Sequence, residues 1–94
     1  MLLSIQEAAR KARGVIQQTN LTHVTQEFQE ALRAVWAEAR RTGKGPAWVH
    51  QHPIVVVYAD RVAALAGVAG NTHFVKNRVD AAHRALEELL KEAA

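Results

Sequence analysis

The sequence predicts an all-α fold, a small four-helix bundle-like domain. Apolar residues recur at three- and four-residue steps, which is the spacing that places side chains on one face of an α-helix. Residues that favour helix ends stand at the borders of these periodic segments, and most of the connections are short. The predicted helices span about residues 4–18, 22–42, 53–67 and 72–92 of a single helical domain, residues 1–94.

The first predicted helix begins at Ser4. In the stretch SIQE, the Ser4 hydroxyl can accept a backbone N–H while the Glu7 carboxylate reaches back to the cap, which is the pattern of a capping box. One apolar stripe follows at helical spacing, and we expect it to face the core. Its members are Ile5, Ala8, Ala9, Ala12, Val15 and Ile16.

The second predicted helix begins at Leu21 or Thr22 and ends at Thr42. Gly43 follows it, and glycine takes the positive φ of a C-terminal cap without a steric clash. Arg40 and Arg41 fall in the last turn, where cations interact favourably with the helix dipole. The predicted apolar stripe contains Val24, Phe28, Leu32, Val35 and Ala39, with Ala31 and Trp36 beside it.

Residues 43–52, GKGPAWVHQH, predict a loop before the third helix. Pro53 suits the first position of that helix, because the N–H that proline lacks has no helical partner there. The helix reads IVVVYADRVAALA, and only Asp60 and Arg61, which we expect to form an ion pair, interrupt its apolar character. Such a helix lies at the centre of a bundle or against another subunit.

An α+β fold with a short hairpin at residues 47–58 is the alternative. The segments AWV and IVVVY are rich in β-branched and aromatic residues, which favour strands. An isolated two-stranded ribbon is only marginally stable, however, and DRVAALAG continues the pattern as a helix.

The fourth predicted helix begins near Asn71 or Thr72, either of which can cap it. Its apolar stripe contains Val75, Val79, Ala82, Leu86, Leu89 or Leu90, and Ala93.

The composition argues against an enzyme. The chain has no cysteine, and its single serine, Ser4, is explained as a helix cap, so no nucleophile with its base can be assembled. His50 and His52 form a pair in a loop, and Asp80 and His83 share a helix face, but neither set reaches the three or four ligands of a zinc site. We therefore expect a non-enzymatic protein without metal or cofactor.

The charge and the apolar runs bear on location and partners. The formal net charge is +3, which permits a polyanionic partner without requiring one. The N-terminal segment lacks the apolar core of a signal peptide, and the longest apolar run, residues 54–59, is far shorter than the roughly 20 residues of a bilayer span. The sequence therefore predicts a cytoplasmic protein without a membrane partner.

Self-association, or binding to another protein, is the first functional hypothesis. The third helix carries more apolar surface than a chain of this size is expected to hide. The preceding loop adds Trp48, an aromatic type enriched at interface hot spots, although its ring could instead fill one end of the bundle. The candidate protein-interaction residues are Arg41, Lys44, Trp48, His50, Val56 and Tyr58.

DNA binding is the second functional hypothesis. Residues 62–72, VAALAGVAGNT, resemble the helix-turn-helix segment of LacI-type repressors, with Ala63 at the helix packing point and Gly67 in the turn. This resemblance implies a degenerate motif at residues 59–79. It departs from the family pattern where the recognition helix carries buried apolar residues, since His73 and Lys76 stand there. The candidate nucleic-acid contacts are Asn71, Thr72, His73, Lys76, Asn77 and Arg78.

Overall fold

The computed structural model describes residues 2–67 and 73–92. These residues form five α-helices and one 3₁₀ helix, and none of them forms a strand. The elements are α1 (Ile5–Gly14), a 3₁₀ helix (Val15–Gln17), α2 (Leu21–Thr42), α3 (Pro46–Gln51), α4 (Pro53–Leu65) and α5 (His73–Glu92). The all-α prediction is confirmed. No helix in the two described ranges has the length and apolar character needed to cross a bilayer.

The alternative hairpin at residues 47–58 is wrong, because these residues lie in α3 and α4. Burial explains why a β-branched segment is helical here. Val55 and Val57 are both buried, together with Ile54 and Tyr58, while Val56 is only partly buried. A strand would instead alternate between buried and exposed positions. Packing on one helical side therefore outweighs the strand propensity of these residues.

The predicted loop at residues 43–52 is also wrong in part, because it contains α3. Pro46 occupies the first turn of this helix, where its missing N–H costs nothing. Val49 has 0% of its surface exposed and fixes the short helix to the core. A helix of six residues is too short to produce the periodicity from which helices are predicted.

Local hydrogen bonds set the helix boundaries. The Glu7 N–H donates to Ser4 Oγ at 3.1 Å and the Ser4 N–H donates to Glu7 Oε1 at 3.0 Å, so the predicted capping box is confirmed. The Asn20 side chain caps α2 by accepting the His23 N–H at 2.9 Å. Gly43 ends α2 with a φ of 73°, as predicted. The predicted caps Asn71 and Thr72 lie outside the described residues.

The first helix is shorter than predicted, and Ile16 does not join its buried stripe. The chain tightens from α1 into the 3₁₀ helix at Val15, which changes the direction of the following side chains. Val15 remains 1% exposed, whereas Ile16 is 58% exposed.

Helix α4 lies at the centre of the fold and contacts α1, α2, α3 and α5. The predicted ion pair between Asp60 and Arg61 does not form. The Arg61 guanidinium instead donates two hydrogen bonds, of 3.0 and 2.6 Å, to the carbonyl oxygen of Gln18. This contact joins α4 to the connection between α1 and α2. The buried apolar core comprises Ala8, Ala9, Ala12, Val15, Val24, Ala31, Ala34, Val35, Ala39, Val49, Ile54, Val55, Val57, Tyr58, Ala82 and Leu86.

Candidate functional site

One side of α4 remains at the surface although the helix is central. It is formed by residues at helical spacing, of which Val56 and Val62 also pack against the core. We call this surface the outer face of α4; it consists of Val56, Ala59, Val62 and Ala63 together with the C-cap residue Ala66. Ala59 and Ala66 are exposed, and the other three are partly buried. Every side chain of this face is apolar.

A row of larger apolar side chains on α2 borders α4. Phe28, Leu32 and Trp36 lie four residues apart and are each partly buried. The Phe28 ring stacks on Tyr58, with 5.8 Å between ring centroids and 11° between planes. The row therefore runs from Tyr58 of α4 toward α3, where the Trp36 ring meets the His50 ring.

The exposed sides of α1, α2 and α5 carry charges, in contrast to the outer face of α4. Exposed charged residues occur along each of these three helices; they include Arg10, Lys11 and Arg13 of α1, Glu30, Arg33 and Arg40 of α2, and Lys76, Arg78, Arg84 and Glu87 of α5. The charged residues of α4, Asp60 and Arg61, lie outside the outer face and are partly buried.

Five of the six predicted protein-interaction residues reach the surface. Arg41, Lys44 and His50 are exposed, and Trp48 and Val56 are partly buried. Val56 is the member that belongs to the outer face of α4. The Arg41 guanidinium is bound by the Glu38 carboxylate at 2.8 and 2.6 Å, and this contact holds the pKa of Glu38 below its usual value.

Tyr58, the sixth of these residues, belongs to the core of the chain. Its side chain has 0% exposure, so it is not available at the surface of this fold. Its hydroxyl donates a hydrogen bond of 2.8 Å to Glu27 Oε1, and His23 Nε2 lies 3.0 Å from the other oxygen of that carboxylate. Burial, followed by the hydrogen bond to Glu27, raises the pKa of the Tyr58 hydroxyl.

Two tryptophan–histidine pairs lie where α3 meets α2 and α4. Trp36 of α2 meets the His50 ring edge to face at 6.4 Å, and Trp48 meets the His52 ring at 5.1 Å and 71°. Trp48 packs against the buried core while part of its ring remains at the surface. These aromatic contacts hold α3 against the end of the bundle.

The predicted nucleic-acid contacts are described only in part. Asn71, Thr72 and the side chain of His73 lie outside the described residues. Lys76, Asn77 and Arg78 are exposed on α5. Consecutive helical residues are separated by about 100° around the axis, so these three side chains spread over more than half of the helix circumference.

A partly open cavity of about 190 Å³ lies between the 3₁₀ helix, α4 and α5. Its polar lining includes Asp60, Asp80 and His83, and the Arg61 guanidinium in the same wall already binds the Gln18 carbonyl. No group of three His, Asp or Glu side chains within residues 2–67 and 73–92 is placed to hold a metal ion.

Sequence reasoning missed the alanines of the outer face and the role of His52. The alanines carry no chemical signal of their own, and they belong to a helix that is apolar all round. The signal for His52 was its position directly before Pro53, because the residue before a helix-starting proline is the N-cap. No protein family model, curated protein or solved structure matches this chain.

Proposed function

We propose that this protein is a non-enzymatic helical interaction module that associates with a second copy of itself through the outer face of α4. The observation that carries this proposal is the absence of charge along that exposed face. Two molecules that each carry a net charge of +3 repel one another. An interface formed by uncharged apolar side chains does not require charges to lose their hydration. Each Å² of apolar surface that it removes from water stabilises the dimer by about 25 cal/mol.

The shapes of the side chains favour close pairing of two α4 helices. Alanine at positions 59, 63 and 66 leaves room for two helix axes to approach to the lower end of the usual range, about 8 Å. Val56 and Val62 supply larger, partly exposed apolar groups within the face. A two-fold axis through the outer face would pair the same residues of both copies, as in most small homodimers.

Sedimentation equilibrium over a range of micromolar concentrations tests this proposal with two matched substitutions. We expect the wild-type protein to be a dimer and Ala59→Arg to be a monomer, because the substitution places a charge within the apolar interface. Ala81→Arg is the control, since Ala81 is an exposed alanine of α5 and is not a member of the outer face. A wild-type monomer throughout the range, or equal effects of the two substitutions, would contradict the proposal.

DNA binding by residues 59–79 is the second candidate function. Lys76, Asn77 and Arg78 favour it because they are exposed near the start of α5. The spread of these three side chains over more than half of the helix circumference is less favourable, because a recognition helix reads the groove from one face.

Sedimentation with random duplex DNA at low salt distinguishes the two functions. We expect the DNA to leave the sedimentation of the protein unchanged. If the protein binds DNA instead, the affinity will fall steeply as salt rises. In that case Lys76→Ala and Arg78→Ala will each weaken the complex. Each will also reduce, by about 1, the slope of the logarithm of the binding constant against the logarithm of the salt concentration. A salt-sensitive complex that both substitutions weaken would favour DNA binding over self-association as the function.

A further inference from the structure

His52 is the single residue between α3 and α4, and it serves both helices. Its backbone N–H donates to the Val49 carbonyl at 3.1 Å and ends α3. Its ring atom Nδ1 accepts the Ile54 N–H at 3.2 Å and caps α4. Pro53 offers no N–H, so Ile54 supplies the first backbone donor of α4. The proline also restricts His52 to an extended conformation, which suits an N-cap.

The N-cap requires the neutral form of the His52 imidazole. A ring nitrogen accepts a hydrogen bond only when it carries no proton, whereas both ring nitrogens are donors in the cation. Protonation of Nδ1 would place its N–H opposite the Ile54 N–H, so that two donors would face each other without an acceptor. It would also place a positive charge at the positive end of the α4 dipole. His52 as a whole is 9% exposed, so little solvent is available to stabilise that charge.

Few charged groups near His52 stabilise its protonated form. On α2, the Glu38 carboxylate interacts with His52 and favours its cation, but Arg41 already binds that carboxylate. On α3, the titratable neighbour is His50, which is exposed and contacts Trp36. The first turn of α4, residues 53–56, contains no charged residue.

We propose that His52 is an acid-sensitive junction whose protonation releases α3 from the bundle. Loss of the cap breaks the connection that orients α3 relative to α4. The contact between the Trp48 and His52 rings is lost with it, and Val49 becomes accessible to solvent. This inference concerns the end of the bundle near α3 and does not depend on self-association through the outer face of α4.

The direction of the pH dependence follows from the burial of His52. Burial lowers the pKa of His52 from its usual 6.5, and the Glu38 carboxylate partly offsets that change. The folded state therefore binds the proton more weakly than the unfolded state. The stability contributed by neutral His52 is complete above pH 6.5 and is lost as the pH falls below 6.5 toward the lower pKa of the folded state.

Trp48 fluorescence tests the proposal in a Trp36→Phe background, where Trp48 is the remaining tryptophan. Between about pH 8 and pH 5, we expect a red shift of its emission and a fall in Tm of about 4–8 °C. His52→Asn keeps a cap that does not titrate and should abolish both changes. His50→Gln should leave both unchanged. The proposal fails if His52→Asn retains the pH response or if the background protein shows none.

Proton NMR of the wild-type protein gives the same test without a substitution in α3 or α4. The titration of the His52 ring and the change in the Trp48 signals should share one midpoint below pH 6.5. Different midpoints, or a His52 midpoint above that value, would contradict the proposed junction.

Discussion

Replacement of Leu86 by alanine is expected to lower the free energy of unfolding by about 2–5 kcal/mol. Leu86 is 0% exposed, and it lies on α5, which packs against both α1 and α4. The substitution removes apolar contacts and leaves a cavity that the surrounding helices fill only in part. Natural domains are stable by only about 5–15 kcal/mol, so the loss is a large fraction of the total. Urea unfolding followed by circular dichroism measures it.

Leu2→Ala provides a control with the same change in side-chain size. Leu2 is 54% exposed, and we expect its replacement to change the free energy of unfolding by no more than about 0.5 kcal/mol. Equal losses for the two leucines would mean that α5 does not pack against α1 and α4 as described.

Replacement of Tyr58 by alanine is expected to have an effect of similar size, about 3–5 kcal/mol. Its ring is buried at the centre of the fold and stacks on Phe28. Tyr58→Phe keeps the ring and removes only the hydroxyl that donates to Glu27. That smaller change should lower the free energy of unfolding by about 1–3 kcal/mol, because a hydrogen bond to a charged group is lost. Thermal and urea unfolding of both variants separate the ring from the hydroxyl.

A double-mutant cycle with Glu27→Gln tests whether the hydroxyl acts through that carboxylate. The amide keeps an acceptor oxygen but removes the charge. We expect Tyr58→Phe to lower the free energy of unfolding by less in the Glu27→Gln background than in the wild-type protein. Additive effects would show that the two groups contribute independently, against the contact of 2.8 Å between them.

The long helices were predictable because their ends carry local signals. Ser4 with Glu7 defines the start of α1, and Gly43 defines the end of α2 from its capacity for positive φ. Helix α3 was not predictable in the same way, because six residues give no period to detect. The exposure of Ile16 also escaped prediction, since the change to a 3₁₀ helix at Val15 depends on how the chain turns toward α2.

The candidate site was predictable only in its general location. The apolar character of α4 indicated that this helix is central or contacts a partner. Periodicity cannot assign an inner and an outer side to a helix that is apolar all round. The distinction between buried Tyr58 and the exposed Ala59 beside it arises from tertiary packing against α2. The hydrogen bond from Arg61 to the Gln18 carbonyl, in place of a pair with Asp60, is likewise a long-range contact.

The absence of cysteine from the sequence allows the most direct test of self-association through the outer face of α4. Single-cysteine variants Ala59→Cys, Ala63→Cys and Ala81→Cys can each be treated with a short bifunctional thiol reagent at micromolar protein concentration. We expect covalent dimers from the variants at positions 59 and 63 and almost none from position 81 on α5. Equal cross-linking at all three positions, or monomer alone at positions 59 and 63, would contradict association through this face.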